Sequence, residues 1–421
     1  MSRPDIDIAV IGAGAAGLAT AIFTAARAPE RRVVLFDGAQ RPGAKILVSG
    51  GSRCNVTNTV VTEGDFNGGR PTLIRRVLRA YPATEAAGFF RRIGVALHEE
   101  PGGKLFPDSN RSRDVLDALL RESERCRVDL RRDHRVVDVG DDDIGFRLTT
   151  SHGSFRTCVV VLATGGLSLP KTGSDGWGYG IARRFGHTIV PTTPALAPLV
   201  LDTDHSGVHR ELSGVSHDVR LDIRVDGGIA TRIRGSLLWT HFGISGPAAL
   251  DASRHWLRAK LEGRDVHTTL SLVPDDRFES LERAFIELSG SRPRLSVQSA
   301  VAAHVPAAVA AVLLRLAGVP DSRTMAEMTR DERRKVTRAL REWPLSIADS
   351  RGYNYAEVTA GGVPLTEINP ATMESRIRPG LYLVGEILDV DGRIGGFNFQ
   401  WAWSTAHVAA TALGRAAATR R

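Results

Sequence analysis

Between Ser49 and Asn58 the chain reads SGGSRCNVTN, with two glycines, an arginine, a cysteine and two asparagines in ten residues. Residues of these types can build a redox centre, a phosphate cradle or a plain turn. A dithiol needs two cysteines whose Cα atoms lie within about 7 Å. The only other cysteines are Cys126, 72 residues on at the end of a helical pattern, and Cys158, 104 residues on in an apolar run. We therefore read no disulfide centre. Gly50 and Gly51 allow close backbone approach to a ligand, with Ser52, Arg53 and Asn55 as donors beside it and Ser49 in the same candidate set. Cys54 is either a lone reactive thiol or a small buried hydrophobe.

A second set of candidates lies in LLWTHFGISGPAAL, where Thr240, His241 and Ser245 are close in sequence. His241 is a candidate acid/base because histidine titrates near neutral pH. A structural histidine at a helix start is the competing reading, since no acidic partner is identifiable. The chain has five lysines, and Lys45, Lys104 and Lys171 fall in glycine-rich loops. An ammonium there suits a phosphate or a carboxylate; ordinary surface lysine is the alternative. No Cys/His cluster has zinc spacing and no Gly-x-Ser-x-Gly elbow occurs, so no metal is expected.

The elements that would position these groups begin at the N-terminus. DIDIAVIGAGAAGLATAIFTAAR contains a β-rich run, Gly12-x-Gly14-x-x-Gly17, and an Ala-rich helix. RRVVLFDG follows as a second strand, ending in Asp37 twenty residues after Gly17, with Gly38 beyond it. Gly12 permits the tight turn, Gly14 admits a pyrophosphate, and Gly17 lets helix and strand pack closely. Ala15 and Ala16 open a helix whose free N–H groups and positive dipole end face the phosphates. Asp37 stands where a ribose-binding carboxylate belongs. Near the other end, LYLVGE is an apolar strand ending in Gly385-Glu386, and IGGFN (Gly395, Gly396, Phe397, Asn398) precedes a helix from about Asn398. One dinucleotide fingerprint plus this terminal motif favours FAD over NAD, in a domain assembled from both ends of the chain. Glu386 and Asp391 are the candidate ribityl contacts, with cap and turn roles as the alternative. CVVVLATGG reads as a buried parallel strand from Cys158, turning sharply at Thr164, Gly165 and Gly166. Trp401 and Trp403 read as core residues on the last helix.

With these motifs in hand, the chain resembles the BaiN/YhiN-like family of FAD-dependent flavoproteins, some members of which carry the name aminoacetone oxidase family. The resemblance rests on GAGAAGLATA, KILVSGGSRCNVTN, GGKLFPDS, LATGGLSLPKTGSDGWGYGIARRFGH, LLWTHFGISGPAAL, AEVTAGGVPLTEINPATMESR and LYLVGEILDVDGRIGGFNFQWAW, in that order. It implies a Rossmann-like α/β FAD domain, here 1–190 and 352–421, with a β-rich insert at 191–275 and 343–351 and a helical sub-domain at 276–342. Val137 joins the candidate cofactor set. Trp177 stands where many relatives have aspartate, which leaves Asp175 as the nearby acid.

Composition narrows the class. The chain has 421 residues, 42% of them apolar, enough for two or three domains. An odd number of cysteines favours a reducing cytosol. The apolar strand already starting at Ile6 argues against a signal peptide, and the run from Ile8 to Phe23 holds three glycines and is too short for a membrane span. The net charge of +8 is spread along the chain, so nucleic acid is not the expected partner. The expectation is a soluble, cytoplasmic FAD-dependent oxidoreductase acting on a small organic molecule by hydride transfer. NAD(P)H is the candidate transient co-substrate. An O2-using amine oxidase and a flavin-bearing RNA-modifying protein are the alternatives. Oligomeric state is not legible.

Overall fold

The computed structural model describes residues 4–202 and 207–418. They fall into two compact units, 1–193 with 357–421, and 194–356. The sequence reading divides the chain after 190 and after 351.

The first unit is built on a seven-stranded mixed sheet. Strand β1 (Ile6–Ile11) lies between β2 (Val33–Phe36) and β3 (Gly153–Leu162), parallel to both. Its residues are buried except for Asp7, because both faces of the sheet are covered. Strand β4 (Leu381–Leu383) pairs in parallel with the far half of β3, Val160 opposite Leu381. The two ends of the chain therefore share one sheet, and the expected Rossmann-like domain built from both chain ends is borne out. β3 starts five residues before Cys158, at Gly153. Its first half is an antiparallel partner of Gly145–Thr150. That half lacks a continuous apolar run, which is why the sequence did not mark it. Cys158 thus lies inside the strand and is only partly buried.

Three helices complete this unit's site: α1 (Ala15–Arg27), α2 (Ala44–Ser52) and α3 (Phe397–Ala418). α1 and α3 pack along each other. Trp401 and Trp403 are both 1% exposed. Trp401 donates its indole N–H to the Gly385 carbonyl (3.2 Å) and Trp403 donates to Val56 (2.9 Å). They are core residues with satisfied donors.

The second unit carries an antiparallel seven-stranded sheet. Its central hairpin joins Ser216–Val225 to Gly228–Thr240 through Asp226 and Gly227, both left-handed at φ 50° and 81°. That matches the hairpin read from Asp-Gly-Gly. Helices Phe278–Ser291, Ala307–Leu316 and Arg330–Arg341 bury Phe285, Leu313, Val336 and Leu340 in the same core as Val219, Leu221 and Trp239. Helices and strands here share one core; the segment 276–342 does not close a core by itself. Among the described residues no helix is long and apolar enough to cross a membrane.

Candidate cofactor site

The three fingerprint glycines have three different reasons to be glycine. Gly12 sits at φ +101°, and a Cβ on it would stand 2.6 Å from the Ala163 carbonyl oxygen. A Cβ on Gly17 would strike the Gly12 carbonyl. Gly14 is different: its backbone is extended (φ −80°, ψ −168°) and nothing lies within 4 Å of where a Cβ would be. The protein's own packing does not require glycine there. The open space beside it lies at the N-terminus of α1, which has no side-chain cap and no acid in its first turn. Its N–H groups remain available to an anion. Asp37, just past β2, accepts from the backbone N–H of Ala13 (2.7 Å) and of Ala39 (2.8 Å), one bond per carboxylate oxygen. Each oxygen keeps lone-pair capacity for a hydroxyl.

The C-terminal motif meets this turn. Gly385 has φ +75°, and a Cβ on it would lie 2.7 Å from the Cβ of Ala16. A Cβ on Gly166 would stand 3.0 Å from a Glu386 oxygen. Glu386 accepts from Lys45 Nζ (2.5 Å), from the Ser168 hydroxyl (2.8 Å) and from the Thr359 backbone N–H (3.0 Å). Lys45 also donates to the Ser168 hydroxyl. The Lys45 and Glu386 side chains are only 24% and 19% exposed. Thr359 in turn accepts from the backbone N–H groups of Leu167 and Ser168. Sequence reasoning named Lys45 and Glu386 separately and missed Ser168 and Thr359; both lie within motifs that carry the resemblance. Among the buried side-chain oxygens of this unit without a protein partner, which include Thr24 and Thr193 Oγ1, Thr164 Oγ1 and Asn55 Oδ1 lie at the candidate turns. Buried polar atoms are normally paired, so these two oxygens have acceptor capacity left for a ligand or a water.

SGGSRCNVTN closes α2 with left-handed backbone: Gly50, Gly51, Ser52 and Cys54 have φ between 55° and 66°. Gly51 is open on the side a Cβ would take. Ser49 donates its hydroxyl to the Ile46 carbonyl, and Arg53 is bound by Glu100 and stacked on Phe106, 4.1 Å from the ring centroid. Glu100 and Phe106 thus hold the Arg53 guanidinium that the sequence offers as a donor. Cys54 is fully buried, and burial pushes its thiol up to about 12, against a smaller opposing effect of Ser49. It is a protonated thiol at neutral pH. Gly396 (φ +91°) lies against Thr57 and Asn55, so a Cβ there would meet Thr57 at 2.6 Å and Asn55 Oδ1 at 2.8 Å. The Asn398 amide exchanges two 2.8 Å bonds with the backbone of Gly392, and the Phe397 ring is buried beside it. Asp391, 2% exposed, lies opposite Asn67 on the short strand Val390–Gly392.

The remaining candidates flank these turns or belong to the other unit. Val137 is 51% exposed, and its carbonyl accepts from the Trp177 indole. Asp175 is paired with Arg135, whose side chain lies against Gly38. Lys104 is half-buried on the strand Lys104–Pro107 and Lys171 is exposed. His241 belongs to the second unit, in the turn between Gly228–Thr240 and Gly243–Ser245, not at a helix start; it is exposed, with its ring edge-on to Phe242 at 5.1 Å. Ser375, His187 and Glu367 have the order of a nucleophilic triad, with Nε2···Oγ 2.8 Å and Nδ1···Oε2 2.7 Å. Ser375 is 6% exposed, however, and its oxygen already accepts from the N–H groups of Ile377 and Arg378. The set is a loop clasp. Among the described residues no group of three His, Cys, Asp or Glu side chains could hold a metal ion.

The HI0933-like Rossmann domain family matches residues 6–412. The chain belongs to that family. This HI0933-like chain is 36% identical over 409 residues to the ribosomal RNA dihydrouridine synthase of Escherichia coli, covering 97% of this chain and 98% of that one. It is 32% identical over 413 residues to the 3-dehydro-bile acid delta(4,6)-reductase of Clostridium scindens, covering 98% and 99%. The expected BaiN/YhiN-like membership is borne out. Among solved structures, E. coli quinol fumarate reductase shares the fold, with a TM-score of 0.51 at 17% identity over 99% of this chain and 71% of that one. The HI0933-like chain is an FAD-dependent oxidoreductase. Its open glycine at an uncapped helix end, its strand-end carboxylate and its unpaired buried oxygens fit that cofactor.

Proposed function

We propose that the protein is a reductase that saturates a C=C bond conjugated to a carbonyl, with NAD(P)H as the electron source. The observation that carries this reading is the shared chemistry of two differently named relatives. Dihydrouridine is uridine with its ring C=C saturated, and a Δ4,6-reductase saturates ring double bonds. In balance, the alkene gains a hydride and a proton while NAD(P)H becomes NAD(P)+. Bound FAD supplies the capacity to take up two electrons and pass them on as hydride. In this reading Gly14 and the α1 N–H groups hold the pyrophosphate and Asp37 the ribose. Glu386 would keep Lys45, Ser168 and the turn after β4 in place at the cofactor site. The three cysteines are free thiols, which suits a cytoplasmic setting.

The test is anaerobic mixing of the yellow protein with NADH or NADPH, followed at about 450 nm. Bleaching, then recolouring on addition of an enone substrate or of uridine-containing RNA, is expected. No bleaching with either nucleotide, together with bleaching by an amine and recovery in air, would make the protein an oxidase instead.

A specific pair of observations favours a second reading of the substrate, a uracil base within RNA. The relative named for that activity is 36% identical end to end, and the chain carries a net charge of +8. A polyanionic substrate is what such a charge attracts.

A further inference from the structure

Helix Arg330–Arg341 is capped at its start by Thr329, whose hydroxyl accepts from the Glu332 N–H, while the Glu332 carboxylate accepts from Thr329. Val336, Thr337 and Leu340 face inward and are fully buried. The outward side is cationic. Arg330, Arg334, Lys335 and Arg338 are exposed and Arg341 is half-buried. Arg330, Arg334 and Arg338 recur at i, i+4 and i+8, with Arg341 on the same stripe and Lys335 beside it. The helix spans roughly 16 Å at 1.5 Å per residue from the first of these to the last.

Among the described residues no acid forms an ion pair with any of these five cations. The helix's own Glu332 is taken by Arg323 (2.9 Å), and Arg333, on the inner side, is directed to Glu282 of Phe278–Ser291 (3.8 Å). Exposed Asp331 is the one further acid on the helix, and Glu279 and Glu287 lie on the helix packed beside it. Helix Ser112–Arg125 shows the ordinary arrangement: Arg111 pairs with Asp114 and Arg125 with Glu122. Like charges four apart destabilise a helix, so Arg330, Arg334 and Arg338 gain nothing from one another. The helical segment 276–342 holds twelve Lys and Arg against nine Asp and Glu, three of the chain's net +8. On this helix the cations without an acidic partner gather as a ridge along the outward side.

We infer that this ridge is the docking surface for the phosphate backbone of an RNA substrate. The inference rests on the RNA reading of the substrate given above. Guanidinium groups match phosphate geometry in a planar, two-pronged manner. A lipid surface fits less well, because a membrane-binding helix needs its apolar face free to insert. Here that face is buried in the core.

The experiment measures binding of a fluorescently labelled, uridine-containing RNA hairpin by the FAD-loaded full chain, between about 50 and 200 mM KCl. A triple variant, Arg334→Gln/Lys335→Gln/Arg338→Gln, is compared with a control of equal charge loss, Arg41→Gln/Arg113→Gln/Arg121→Gln. Each lost phosphate contact should flatten the slope of log affinity against log salt by about 0.7–0.9. The ridge variant should lose a slope of about 2 and bind at least roughly tenfold more weakly at low salt. Arg334→Lys/Arg338→Lys should retain the slope, and flavin bleaching by NAD(P)H should be unchanged in every variant. Equal weakening in both triple variants, or wild-type binding by the ridge variant, would overturn the ridge while leaving the RNA reading intact. If the wild type binds no RNA at about 50 mM salt, or binds only anionic phosphatidylglycerol vesicles, both fall together.

Discussion

Cys54 is the residue whose type promised most chemistry and whose surroundings permit least. It has φ +62°, is 0% exposed, and its thiol is pushed up to about 12 by burial. Thiolate, not thiol, is the nucleophile, so iodoacetamide at neutral pH should leave Cys54 unlabelled and flavin reduction intact until the chain is denatured. Peptide mass mapping checks this; loss of activity in step with Cys54 labelling would contradict it. Burial of a lone cysteine leaves no mark in sequence. Nor does the pairing of Arg53 with Glu100, 47 residues away. Gly12 and Gly17 were legible for the opposite reason. A positive φ or a close backbone approach excludes every other residue type, so the constraint is written in the glycine itself.

At the scale of elements, Glu386 joins four separate segments: α2 through Lys45, the turn after β3 through Ser168, the strand Val358–Gly362 through Thr359, and the turn after β4. Glu386→Gln keeps the shape and removes the charge, leaving a mostly buried ammonium without its anion. Loss of a hydrogen bond to a charged group should cost about 1.5–3 kcal/mol. Urea unfolding should show that loss, and FAD titration should show weaker retention. Adding Lys45→Met should recover part of it. Wild-type stability in the single variant would show that the pair does not organise these turns. The strands and helices bordering this network were readable because continuous apolar runs meet glycine turns. The network was not, since its members are up to 341 residues apart. The antiparallel half of β3 was hidden too, because it lacks the apolar run of its parallel half.

For the molecule as a whole, a sheet shared by both chain ends ties stability to the packing of α3 on α1, where His407 stacks on Tyr81 (4.4 Å) and meets Phe23 (5.8 Å). Burial, with Arg27 adding to it, lowers His407 from 6.5 to about 4, and burial does the same to His255 in the second unit. The unfolded chain therefore binds protons first as pH falls. The stabilisation is complete above the ordinary histidine value and is lost as pH drops from about 6.5 toward 4. His407→Gln should lower Tm at pH 7, yet show a smaller further drop at pH 5 than the wild type. Equal drops in calorimetry would rule out His407 as a source of the acid sensitivity. The split of the FAD unit between chain ends was legible from two glycine motifs. The common core of the 276–342 helices and the second sheet was not, since it depends on which apolar faces meet.

The most direct test of the FAD site is Gly14→Val. The backbone at Gly14 is extended and the space of a Cβ is empty, so the protein should accept valine without refolding around it. A bound pyrophosphate could not. Circular dichroism and flavin absorbance are measured on the same purified sample, with added FAD. Native-like dichroism with colourless protein that FAD does not restore is the expected result; native-like dichroism with stoichiometric FAD would place the cofactor elsewhere.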